Sequence, residues 1–173
     1  MSNVSIYVGT YNKYNSGSIE GKWLNISEFS DYKELKKAMY ELHSDEEDPE
    51  FMFQDYECPE LFEELGLISE SHISPDIYEV IETIENHFLE IDVIEAYANC
   101  VGGADSIEEL LERIEESYSG SYDSNIAFVQ ELLEDCGDIP KDLPHYIHID
   151  WDSTARDIMM DYSTSNGHYF RNY

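Results

Sequence analysis

The chain has 173 residues, and 39 Asp and Glu against nine Lys and Arg give it a formal net charge of −30. That charge excludes partners that are themselves anionic, such as free nucleic acid or an acidic membrane, and favours basic ones attracted over distance. The 42% hydrophobic content, with 14 Tyr, 7 Phe and 2 Trp, excludes a solvated disordered chain, because it offers enough apolar surface for a core.

In chain order, residues 1–60 read as a small α+β unit. Ile6-Tyr7-Val8 and Lys22-Trp23-Leu24-Asn25-Ile26 are rich in branched and aromatic residues and predict strands. Tyr14-Asn15-Ser16-Gly17 and Gly21 supply turn chemistry between them. Ser30 or Asp31 caps a helix over 32–42, with Leu35, Ala38, Met39 and Leu42 on one face. After the acidic turn 44–49, Phe51-Met52-Phe53 predicts a third strand.

Residues 61–103 turn helical. Leu61, Phe62 and Leu65 share a face of a short helix that Gly66 ends. Ser74-Pro75 is a cap followed by proline at the first helical position. The next helix puts Ile77, Val80, Ile81, Ile84 and Phe88 on one stripe, and 91–100 repeats the pattern until Gly102-Gly103 breaks it.

Residues 104–173 read as a second α+β unit. Ser106 and Glu109 have capping-box spacing for a helix to about Tyr118. Asp123 or Ser124 caps another, with Ile126, Phe128, Val129, Leu132 and Leu133 apolar and Gly137 at its end. Asp152 or Ser153 starts a short helical turn. Asn166-Gly167, between Ile158-Met159-Met160 and Tyr169-Phe170, predicts a hairpin. The fold class is therefore α+β in three parts.

Cys58, Cys100 and Cys136 are odd in number and lack metal-type spacing, so they read as buried thiols of a reducing compartment. No leader and no 18-residue apolar run is apparent, which predicts a cytoplasmic protein. His145, His148 and Asp150 fit no specific zinc motif, and their segment alternates apolar with polar residues, so a structural strand or turn is favoured over a metal centre. Nothing suggests a phosphate loop or a nucleophile, and the expectation is a protein without cofactor that is not an enzyme.

The distribution of charge remains. Residues 38–112, 75 in all, contain 23 Asp and Glu and no Lys or Arg, whereas the first 37 hold five lysines and four acids. Salt adaptation would thin cations uniformly, so the asymmetry favours a dedicated acidic surface. Carboxylates at three- and four-residue steps along a helix lie roughly 5–6 Å apart. Duplex DNA presents one negative charge per roughly 1.7 Å of axis. Acidic helix faces can thus imitate a phosphate backbone, although any acidic helix has this spacing. Arg113 stands alone in these surroundings; it either ties two helices together by ion pairs or is solvated, and the solvated reading is favoured.

Ile6-Tyr7-Val8, Lys13-Tyr14-Asn15-Ser16-Gly17 and Gly21-Lys22-Trp23-Leu24 resemble the N-terminus of the ArdA antirestriction family. Phe53-Gln54-Asp55-Tyr56-Glu57 is similar to its acidic aromatic segment. Asp138-Ile139-Pro140, Tyr146-Ile147 and Asp150 through Ala155-Arg156-Asp157 resemble its C-terminal portion. The resemblance implies an elongated homodimer, joined through its C-terminal portion, that mimics DNA in the groove of type I restriction-modification enzymes. The phosphate-mimicking acids are then expected among Glu60, Glu63, Glu64, Glu70, Asp76, Glu79, Glu82, Glu85, Glu90, Asp92, Glu95, Asp105, Glu108, Glu109, Glu112, Glu115 and Glu116. Dimer packing is expected from Phe128, Val129, Leu132, Leu133, Tyr146, Ile147 and Trp151. An acidic protein aimed at a different basic DNA-binding protein is the alternative, and a metal enzyme built on His145, His148 and Asp150 a remote one.

Overall fold

A computed structural model of the chain describes residues 4–140 and 142–173. It is α+β, with eight α-helices and three small antiparallel sheets among the described residues. The chain divides into two compact units, one ending at Ile91 and the other Asp92–Tyr173. No helix among the described residues is long and apolar enough to cross a membrane.

The first unit is built on β1 (Ser5–Thr10), β2 (Lys22–Asn25) and β3 (Phe51–Glu57), ordered β2-β1-β3. Ile6, Val8, Leu24 and Phe53 are buried, whereas Tyr7 pairs across the strands with Trp23 on one side and Asp55 on the other. The predicted strand over 22–26 loses Ile26 to a 3-10 turn, Ile26–Glu28, whose Ser27 N–H is capped by the Asn25 side chain. The predicted turn at 14–17 is preceded by a helix, α1 (Tyr11–Asn15), because Thr10 Oγ1 accepts from Lys13 N and caps it. Only then does Gly17, at φ +82°, turn the chain. Helix α2 (Tyr32–Leu42) is capped by Asp31, whose carboxylate accepts from Glu34 N, and buries Leu35 and Met39 completely. Its C-terminal end is fastened to the sheet: Tyr40 meets Phe51 edge-on at 5.0 Å, and buried His43 bonds the Val8 carbonyl through Nε2. Lys13 Nζ donates to His43 Nδ1 at 3.3 Å, a pair of bonds that the Nε2–H tautomer makes together.

Helix α3 (Glu60–Glu64) follows, and Gly66 ends its turn at φ +67° as expected. A two-stranded hairpin, β4 (Ile68–Ser69) and β5 (His72–Ile73), then occupies part of the stretch read as helical. Its strands are too short to display alternation. They are held by Ile68 and Ile73, both buried, and by the Phe53 amide donating to the Glu70 carbonyl at 2.7 Å. Helix α4 (Ile77–Asn86) starts two residues later than Ser74-Pro75 implies. Ser74 Oγ accepts from Asp76 N, closing a local turn instead of capping the helix. Ile77, Val80 and Ile84 are buried, but Phe88 lies beyond the helix end and is 74% exposed, and Leu89 takes the core position.

The second unit holds α5 (Ile91–Cys100, its first residue belonging to the first unit), α6 (Ile107–Ser117), α7 (Asn125–Cys136) and α8 (Trp151–Ile158). Its sheet is ordered β6-β8-β7, from β6 (Tyr118–Ser121), β8 (His168–Arg171) and β7 (Tyr162–Ser165). The central strand β8 is covered on both faces, so His168, Tyr169 and Phe170 are all buried and no polar alternation marks it. Tyr169 stacks on Phe128 of α7 at 4.5 Å, while Phe170 meets Tyr97 of α5 edge-on at 5.2 Å. Asn166 (φ +50°) and Gly167 (φ +82°) form the two-residue turn of the predicted hairpin. Its first arm is Tyr162–Ser165, not 158–160. Ile158 closes α8 and Met159–Asp161 is 3-10. Helix α8 also begins earlier than expected, because its cap is Asp150, whose carboxylate accepts from Ser153 N, rather than Asp152 or Ser153.

The cysteines are free, but the expectation that all three are buried fails: Cys58 and Cys100 are half-buried, and Cys136, at the exposed end of α7, faces solvent. Burial and the nearby Glu63 push the Cys58 thiol up to about 11, and burial also raises Cys100. Iodoacetamide at pH 8 is therefore expected to label Cys136 rapidly and Cys58 slowest, read by peptide mass spectrometry. Gly21 is a second test. A Cβ there would lie 2.4 Å from the Val8 carbonyl oxygen and 2.8 Å from the Tyr7 ring. Gly21→Ala is expected to destabilise by about 1–3 kcal/mol in chemical denaturation.

A surface of exposed carboxylates

Local sequence patterns aim most of the carboxylates outward. On α4 the buried Ile77, Val80 and Ile84 fix one face, which leaves Glu79, Glu82 and Glu85 at three-residue steps in solvent, continuing from Asp76. On α6 the buried Ile107, Leu110, Leu111 and Ile114 do the same for Glu108, Glu112, Glu115 and Glu116. Glu60, Glu63 and Glu64 lie on the exposed side of α3. Of the 17 acids expected from sequence, all are exposed except Glu95 and Glu109, which are half-buried.

Some of these acids already have partners. Glu109 completes the capping of α6 by Ser106, its own N–H donating to Ser106 Oγ while its carboxylate accepts from Asp105 N. It also meets Arg113 at 2.7 Å, and Arg113 reaches the Gly103 carbonyl, so this arginine is half exposed yet held by two partners within its own helix and the loop before it. Glu63 accepts from Tyr56 Oη, Glu70 from Tyr11 Oη and Asp76 from Ser74 Oγ, and Asp92 lies 3.5 Å from His168 Nε2. Elsewhere Lys13 bonds Asp45, holding that carboxyl below its ordinary range, and Thr10 Oγ1 donates to Glu46. With nine cations for 39 acids, most carboxylates can have no lysine or arginine partner.

Helix polarity sharpens the point. Carboxylates at a helix N-terminus are stabilised by the macrodipole, and those at its C-terminus are not. Glu34, Glu79, Asp92 and Glu108 occupy first turns, but Glu85, Glu116, Glu134 and Asp135 occupy last turns. The last turns of α2, α4, α5, α6 and α7 themselves contain no lysine or arginine. Folding alone would not place carboxylates there.

Glu131, Glu134, Asp135 and Asp138 are exposed in the same manner and lie outside the sequence-based set, which stops at Glu116. Their three- and four-residue spacing was the available signal. Of the expected dimer residues, Phe128 and Val129 lie in the core of their own unit, with Leu132, Leu133 and Trp151 half-buried against it. Tyr146 and Ile147 are 72% and 48% exposed. His145 falls in a turn and His148 and Asp150 in an irregular segment, not a strand, and no group of three His, Cys, Asp or Glu among the described residues is disposed to hold a metal.

A family model described as antirestriction protein (ArdA) matches residues 6–171. No curated protein matches the chain.

Because like charges oppose compaction, thermal stability is expected to rise as NaCl is raised from low millimolar to 0.3 M, read by circular dichroism. Glu85→Gln, which removes an unfavourable charge from the last turn of α4, is expected to raise the melting temperature by about 1–3 °C at low salt.

Proposed function

This chain belongs to the ArdA antirestriction family, and we propose that it acts as a DNA mimic, occupying the DNA-binding groove of type I restriction-modification enzymes. The observation that carries this reading is the exposure of the acidic helix faces of α3, α4 and α6 with carboxylates at helical three- and four-residue steps. Carboxylates roughly 5–6 Å apart form a row of negative charge that lysines and arginines that await the phosphates of DNA can engage. Long-range steering brings the partners together, and many exposed ion pairs, each weak alone, hold them. No single carboxylate is decisive on this account.

A homodimer built through the second unit extends the surface. The buried Phe128 and Val129 would shape the contact from beneath, and Tyr146 and Ile147 would make it. Two chains carry −60 (2 × −30), which at one charge per roughly 1.7 Å corresponds to about 100 Å of duplex.

The test is a titration of the protein into a type I restriction enzyme cutting unmodified DNA, over a salt series. Inhibition competitive with DNA and falling steeply with salt is the expected outcome. Full cleavage at excess protein and low salt, across several type I enzymes, would overturn the reading and redirect the acidic field to another basic DNA-binding protein.

A further inference from the structure

Away from the acidic helices, the outer face of the β2-β1-β3 sheet carries a cleft of different chemistry. Cross-strand register places Trp23, Tyr7 and Asp55 in one row across the three strands. Tyr7 and Trp23 meet edge to face at 5.6 Å, and the Tyr7 hydroxyl donates to the Ile19 carbonyl, pinning the α1–β2 loop as one wall. Tyr14 stands on that side, half exposed, and Trp23 is 40% exposed although both are large and apolar. The opposite wall is Glu70, positioned by its carbonyl bond from the Phe53 amide and by Tyr11. The volume is about 560 Å³, and no lysine or arginine lines it.

The sheet is irregular at this point. Tyr7 pairs with Asp55 and Val8 with Phe53, so Gln54 is the extra residue of a bulge, which turns it and Asp55 toward the same face. Gln54 Nε2 is the one buried side-chain polar atom without a hydrogen-bond partner among the described residues. It borders the cleft but, being an N–H donor, adds nothing to the binding of a cation, which the rings and carboxylates would hold.

Exposed aromatic faces beside two carboxylates suit a flat, weakly hydrated cation. Guanidinium stacks on rings and forms paired bonds to carboxylates, whereas ammonium is compact and strongly hydrated. We propose that this cleft receives the guanidinium of an arginine side chain from a basic partner protein, held between the Tyr7, Tyr14 and Trp23 rings and the carboxylates of Asp55 and Glu70. It would give the first unit a selective anchor beside the diffuse attraction of the acidic helices. The inference rests on the partner being basic, as proposed above, but its test uses no enzyme, so the two can fail separately.

The experiment is a titration of the full ¹⁵N-labelled chain with N-acetyl-arginine amide, following the two indole N–H resonances, that of Trp23 assigned by its loss in Trp23→Phe. Saturable movement of the Trp23 signal with Trp151 still, roughly three- to tenfold weaker response to N-acetyl-lysine amide, and none to the neutral citrulline analogue are expected. Asp55→Asn should weaken arginine binding at least about threefold, while Asp157→Asn, an equal charge change in the other unit, leaves it unaltered. A still Trp23 signal, equal response to arginine and lysine, or both indoles moving together as for diffuse charge would overturn the proposal. The ligand series uses the unaltered chain and stands even if Asp55→Asn fails to fold.

Discussion

Mutual repulsion among 39 carboxylates is the constraint under which every other feature of this protein operates. Each compact unit gathers negative charge that an unfolded chain would keep apart, and nine cations cannot neutralise it. Burial has to outweigh that repulsion within small cores. The first unit does so with fully buried Ile6, Leu35, Met39, Leu61, Phe62 and Ile77. The second covers both faces of β8, so that Phe128 and Tyr169 pack on one side and Tyr97 and Phe170 on the other. Aromatic residues suit this task because each removes a large apolar area from water for few rotatable bonds.

The scarce cations have local duties. Lys13 is mostly buried and gathers His43, Asp45 and Glu20 about the end of β1 and the start of α1. Arg113 joins α6 to the loop before it through Glu109 and Gly103. Polar side chains of Thr10, Asp31, Ser106, Ser124 and Asp150 cap helix N-termini, so local hydrogen bonding satisfies the first backbone N–H groups of these helices. A surface left this free of positive charge is suited to a basic partner, and the acids in last helical turns are consistent with selection for that surface against local stability.

Where the sequence was legible, the determinant was local. Asp31, Ser106 and Ser124 caps, glycines at positive φ and the Asn166-Gly167 turn depend on residues within a few positions. The outward faces of α4 and α6 were legible for the same reason, since apolar spacing fixes which carboxylates remain in water. The illegible features depend on distant partners. The β4–β5 hairpin exists because Glu70 accepts from Phe53, and strand β6 because Tyr118 pairs with Phe170. Phe88 kept the helical period but missed the core, because α4 stops at Asn86 and the extended backbone at His87 ends the stripe.

The sequence by itself determined the sign and density of the charge, the α+β class and most helix starts, because composition, caps and periodicity are properties of short stretches. Only the tertiary structure decided which strands pair, that Phe128 and Val129 belong to an internal core, and that Arg113 is bound. It alone brought Trp23, Tyr7 and Asp55 into one row, since register across β2-β1-β3 and the bulge at Gln54 join residues up to 48 positions apart (55 − 7). Charge is written along the chain, but cross-strand neighbourhood is created only when the sheet closes.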